Sequence, residues 1–195
     1  PEGYAQRQVG GWTKRYGGSR THDIEDMTFT GDWLLANIPD SGAPALIHND
    51  YKYDNLVLDP EDITRIKAVL DWEMATIGDP LMDLGTSLAY WVTADDPDFM
   101  KNLNLNISHL PGNPNRATLA EWYFAARAEA PKDLIFYYVF GLYKIAVIIQ
   151  QIYFRFEKGF TSDPRFAHII EGVKAYGRAA RLSIQKQRMD RLFDA

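Results

Sequence analysis

Two rhythms of apolar residues run along the chain. In "GYAQRQVGGWTKRY" (3–16) the apolar positions suggest a first helix, weakened by Gly10 and Gly11. A second helix is predicted over about 24–37, where Ile24, Met27, Leu34 and Leu35 recur at mixed helical spacing and Asp23 is placed to cap it. The turn cluster "PDSGAP" follows, and then the rhythm shortens. "ALIH", "NLVL" and "IKAVL" are brief, β-rich and separated by polar turns, which predicts small strands. Beyond "GDP" the helical period returns in "LMDLGTSLAYWV", with Asp79 as cap and Pro80 at the first helical position. An asparagine-rich loop over 93–115 leads to a helix in "RATLAEWYFAARAEA" and another from Pro131 to about Lys158, ended by Gly159. A last helix is opened by Asp163 and Pro164. Two helices, a small strand cluster and a helical remainder predict one helix-dominated α+β domain over 1–195.

Composition narrows the function classes. At 195 residues and 46% hydrophobic, the chain can bury a core, and global disorder is excluded. A formal net charge of -5 lacks the basic excess of a nucleic-acid binder. With no cysteine there is no disulfide, no thiolate chemistry and no cysteine-ligated metal, and a reducing cytoplasm fits. The four histidines are scattered and make no zinc-binding pair. The run "LIFYYVFGLYKIAVIIQQIYF" has the length of a membrane span, but Lys144 interrupts it and Gln150 and Gln151 follow, so a buried amphipathic helix is predicted and no membrane partner. The aromatics crowded over 122–156, from Trp122 to Phe156, read first as core.

The chemistry gathers in "LIHNDYKYDNLVLDPEDITRIKAVLDWEMATIGDPLMDL" (46–84). Asn55 and Asp71 carry oxygen donors of the kind that hold Mg²⁺ together with substrate phosphates. Asp50 lies five residues before Asn55, where a tight loop can point it to the same side without making it a ligand. It is then free to take a proton from an attacking hydroxyl, and phosphoryl transfer asks for this division of labour. The order His48-Asn49-Asp50, four residues, Asn55, two strands and Asp71 matches the protein-kinase pattern H-R-D-x-x-x-x-N followed by an Asp-headed triplet. Alone, each of these residues reads as a turn, a cap or a strand end, and the order is what carries the signal.

The segments "HNDYKYDN", "AVLDWE" and "GDPLMDL" resemble the aminoglycoside phosphotransferase and choline kinase-like superfamily. Within it the wording is most similar to the kinase-like domain fused to some acyl-CoA dehydrogenases. The resemblance implies a protein-kinase-like C-terminal lobe whose β-hairpin cluster carries the catalytic loop, with ATP as donor and Mg²⁺ as cofactor. It implies Asp50 as the catalytic base, and Asn55 and Asp71 as metal ligands beside the nucleotide phosphates. Lys52 is placed near the transferred phosphate. His48 is implied to brace the loop presenting Asp71, and Asp79 and Asp83 to fix the loop and helix beneath. Asn49 stands where the family usually has glycine; if that position needs a positive φ, Asn tolerates it best after Gly.

No G-x-G-x-x-G between strands and no strand lysine precede His48, so the chain is expected to be the C-terminal lobe of a longer kinase, with its N-terminal lobe as partner and little activity alone. The acceptor is expected to be a small hydroxyl compound, a hydroxyacyl-CoA among them. The basic residues of the last helix favour an anionic acceptor over a polycationic antibiotic. The alternative is a catalytically silent kinase-like module that binds a ligand or partner.

Overall fold

The structure, a computed structural model, describes residues 2–40, 42–102 and 107–194. Seven helices and four short strands are seen among them: α1 Tyr4–Ser19, α2 Glu25–Ala36, β1 Ala45–Ile47, β2 Leu56–Leu58, β3 Ile66–Val69, β4 Thr76–Gly78, α3 Pro80–Tyr90, α4 Asp98–Lys101, α5 Arg116–Ala126, α6 Ile135–Glu157 and α7 Ile170–Lys186. The expected helix-dominated α+β architecture is observed.

The axis of the core is α6. Its central turns are buried on every side because α1, α2, α3 and α7 surround it. It is long and apolar enough to cross a membrane, yet 83% of its most hydrophobic stretch is buried inside the protein. Helix α3 meets it backbone to backbone: a Cβ on Gly85 would lie 2.2 Å from the Tyr137 carbonyl oxygen, and one on Gly141 would lie 2.5 Å from the Gly85 carbonyl oxygen. On α7 the inward positions Val173, Tyr176, Ala179 and Ala180 recur at helical spacing, and its cations point outward.

Several boundaries differ from the sequence expectation. Helix α1 continues through Gly17 and Gly18 to Ser19, because the packing of Trp12 and Tyr16 outweighs glycine's poor propensity. Asp23 does not cap α2; its carboxylate pairs with Arg20, and α2 begins after Ile24 with no side-chain cap. Asp79 does cap α3, accepting from the Leu81 N–H at 2.9 Å. Helix α5 ends at Ala126 in a turn closed by Ala128 at φ 52°, and α6 starts at Ile135 rather than at Pro131. Gly159 ends α6 as expected, at φ 75°. Asp163 and Pro164 open a single 3₁₀ turn, and α7 proper starts at Ile170. The expected loop over 93–115 contains α4, and its residues 103–106 lie outside the described residues. Trp122 is 59% exposed, so this aromatic is not core.

The strands form two separate pairs rather than one cluster. β1 pairs antiparallel with β4 (Ile47 opposite Thr76), and β2 pairs antiparallel with β3 (Leu56 opposite Val69). Together they make one long hairpin interrupted midway on both arms. Residues 48–55 bridge β1 to β2, and residues 70–75 bridge β3 back to β4. β4, the "TIG" that closes the outer pair, was not expected.

Candidate active site

The two bridging segments lie side by side and are tied by hydrogen bonds across the gap. The Leu70 N–H donates to the Asn55 carbonyl (2.8 Å), and Asn49 Nδ2 donates to the Met74 carbonyl (2.9 Å). Each arm turns on a left-handed residue, Asn49 (φ 68°) in the first and Asp71 (φ 63°) in the second. Asn and Asp are the side chains that tolerate this conformation best after glycine, and non-glycine residues held there cluster at functional sites. Asn49, where the resemblance implies glycine, thus holds a backbone shape that glycine would adopt. Its side chain adds two ties: Nδ2 to Met74, and Oδ1 accepting from the Tyr4 hydroxyl at 3.1 Å.

His48 is buried and holds both arms. Its Nδ1 accepts from the Asp50 N–H (3.2 Å), which leaves the proton on Nε2 to donate to the Leu70 carbonyl at 2.7 Å. That carbonyl immediately precedes Asp71, so the imidazole braces the segment presenting Asp71. The first arm is fastened from below by Asp83 on α3, whose two oxygens accept from the His48 and Asn49 N–H groups at 2.8 Å each. Asp79, capping the same helix, is buried and does not reach the arms.

Asp50, Lys52 and Asn55 meet on the first arm. Asp50 Oδ2 accepts from Asn55 Nδ2 (3.0 Å) and pairs with Lys52 Nζ (2.9 Å). Asn55 Nδ2 also donates to the Asp50 carbonyl at 2.8 Å, which fixes the amide orientation. Lys52 lies over the Tyr90 ring, 4.9 Å from its centroid. Burial, with the Asp50 carboxylate beside it, pushes the Tyr90 phenol well above its ordinary range, so Tyr90 stays a neutral donor. Asp71 is exposed on the second arm, and its carboxylate has no protein partner among the described residues.

This donor set fits a hard, oxygen-seeking cation such as Mg²⁺. With Nδ2 committed to Asp50, Asn55 keeps Oδ1 free, and the Asp71 carboxylate is free on the adjoining arm. Among the described residues no group of three or more acidic or histidine side chains forms a closed metal cage. A cation held here would complete its shell with oxygens from a bound substrate.

Residues 1–122 match the model of the phosphotransferase enzyme family. This chain belongs to that family. It is 37% identical over 165 residues to acyl-CoA dehydrogenase family member 11 of Rattus norvegicus, a match covering 83% of this chain and 21% of the relative. The human protein of that name is 34% identical over 182 residues, covering 90% of this chain and 23% of the relative. Acyl-CoA dehydrogenase family member 10 of Mus musculus is 34% identical over 154 residues, covering 78% and 14%. A crystal structure from Ralstonia eutropha, provisionally named an aminoglycoside phosphotransferase, superposes with a TM-score of 0.81 at 31% identity, covering 95% of this chain and 56% of that one. The chain thus spans about a fifth of the length of the acyl-CoA dehydrogenase relatives. Membership supplies a kinase-like fold and, at a coarse level, phosphoryl transfer.

Two participants escaped the sequence reading. Lys144, the lone charge in the apolar run of α6, is 4% exposed and donates to the Asn49 carbonyl at 2.8 Å. Burial pushes its ammonium down to about 8, opposed by the Asp50 and Asp83 carboxylates. The signal was present, since a lysine in a buried helix needs an acceptor, but that acceptor is 95 residues away. Tyr90, at the end of α3, has no local mark at all. Three cations of the basic last helix are engaged by other groups: Arg181 pairs with Glu25 (2.8 Å) and Asp26 (3.0 Å) of α2, Lys174 with Glu171 of its own helix (2.7 Å), and Lys186 with the Asp194 carbonyl.

Proposed function

We propose that this phosphotransferase moves the γ-phosphoryl group of ATP, with Mg²⁺, onto a hydroxyl of a small molecule. The observation that carries the reading is the convergence of Asp50, Asn55 and the segment bearing Asp71 where both arms of the interrupted hairpin open. Mg²⁺ held by Asn55 Oδ1 and the Asp71 carboxylate would neutralise charge on the transferred group. Asp50 orients the acceptor hydroxyl and takes its proton. Oδ2 is anchored by Asn55 and Lys52, and Oδ1, engaged by neither, is the oxygen that receives it. Lys52, already beside that carboxylate, supplies positive charge toward the phosphates. His48 and Asp83 keep the two arms in register throughout.

The names of the acyl-CoA dehydrogenase relatives support an acyl-CoA-derived hydroxyl acceptor, whereas that of the Ralstonia structure names an aminoglycoside. The strand surface supports a covering lobe: Leu46, Val57, Ile66, Leu70, Trp72 and Ile77 are all exposed around the arms. We propose that a strand-rich lobe outside these 195 residues closes over that face and the nucleotide, so that the chain alone binds Mg·ATP weakly.

The test is Asp50→Asn in a protein carrying this chain together with such a lobe, assayed for ATP-dependent phosphorylation of a panel of hydroxyl compounds. Transfer is expected to fall by about 10²–10⁴-fold, the range of general-base assistance. Transfer unchanged by the substitution would remove Asp50 from the chemistry. Ligand binding with no transfer by the parent protein would favour a silent binding module.

A further inference from the structure

A cavity of about 740 Å³ opens on the α1 side of the first arm, lined by Arg7, Trp12, Arg15, Asn49, Thr76 and Lys144 among others. It lies against the catalytic loop, because Asn49, which precedes Asp50, forms part of its wall. Its charge is one-sided. Three cations and no carboxylate line it, in a chain whose formal net charge is -5. Tyr4, Gln8 and Asn49 add neutral polar groups to the wall.

The cations are under-used by the protein. Lys144 has one acceptor, the Asn49 carbonyl, for its three N–H donors. Its other neighbour is the Trp12 ring, 5.8 Å away at the centroid; a buried ammonium with one oxygen acceptor and one ring is costly, and an incoming anion would offset that cost. Arg7 donates to the Glu2 backbone carbonyl, and Arg15 lies over the Trp12 ring, 4.6 Å from its centroid; neither has a carboxylate partner among the described residues. Arg7, Gly11 and Arg15 fall in one i, i+4 row of α1. Gly11 between the arginines leaves that row without a side chain at its centre.

We propose that this cavity binds a phosphate group belonging to the acceptor, so that the substrate is a hydroxyl compound that already carries phosphate. Lys144 forms the floor and Arg7 and Arg15 form the rim. The proposal rests on the phosphoryl-transfer reading for the word acceptor, but the anion site itself does not. A phosphate anchored beside Asn49 holds the reacting hydroxyl on the Asp50 side of the loop and repels polycations.

Inorganic pyrophosphate, titrated calorimetrically into the chain without Mg²⁺, is the probe. Both arginines are exposed on α1, so Arg7→Glu and Arg15→Glu are expected to fold, and circular dichroism checks this. Each reversal should weaken pyrophosphate binding by about ten-fold or more, the size of one charge-assisted hydrogen bond. Lys14→Glu, on the same helix but outside the cavity, controls for net charge and should leave binding within about two-fold, as expected of a screened surface charge. Asp71→Asn should leave it unchanged. Absence of binding, equal losses from Lys14→Glu, or dependence on Lys52 instead of the arginines would overturn the proposal. Failure of the Asp50→Asn assay would leave this binding result untouched, so the two readings fall separately.

Discussion

Asn49 shows how much one residue sets. It adopts a left-handed backbone, turns the chain toward Asp50, and ties the loop to Tyr4 and Met74 through its side chain. Replacing it separates these tasks. Asn49→Ala keeps neither the backbone tolerance nor the hydrogen bonds and should lower unfolding stability by about 2–4 kcal/mol. Asn49→Gly keeps the backbone and loses only the ties, for about 1 kcal/mol. Urea denaturation of both variants checks this; equal losses would mean that the left-handed turn stores no strain. The same residue marks what sequence reveals at this scale. That the segments bearing Asp50, Asn55 and Asp71 adjoin was legible because their spacing is local. Lys144 and Tyr90 were not, because what makes them part of the site is a neighbour far away in the chain.

At the scale of elements, the long helices were legible, and so were the start of α3 at Asp79 and the end of α6 at Gly159, but the other ends were not. Period and apolar content identify α6 and α7, whereas the ends turn on competition among caps: Asp23 pairs with Arg20 instead of capping α2, and Ala128 does a task usually given to glycine. The strands were harder. "TIG" is too short to carry a period, and nothing in "ALIH" says that its partner lies beyond the inner hairpin. The interrupted hairpin is the device that builds the site, since it opens both arms at the same height and sets the residues of one against those of the other. Beneath it, α3 must sit close to α6 to hold Asp83 under the loop. Gly85→Ala would drive a methyl to 2.2 Å from the Tyr137 carbonyl oxygen. It should destabilise by about 3 kcal/mol or more, and should perturb His48 and Asn49 amide resonances through α3. A Tm within a degree of the parent would refute the close approach.

For the whole molecule, family membership, the buried α6 axis and the two-armed candidate site belong together: a helical base presents a polar loop on a face where several large apolar side chains are exposed. The fold class was readable because the helices are long, and the candidate site was proposed from one dense stretch that holds the motifs. The cation-lined cavity was not readable, since α1, β4 and α6 bring its wall together from opposite ends of the chain. The central claim is that Asn55 and Asp71 hold a divalent cation beside Asp50. Paramagnetic Mn²⁺ reports this directly even when binding is weak, because relaxation enhancement detects a sparsely populated bound state. With Mn²⁺ and ATP added to the ¹⁵N-labelled protein, broadening should be strongest at amides of 50–55 and 70–72 and should disappear in Asp71→Asn. Broadening centred elsewhere, or unaffected by that substitution, would contradict the account.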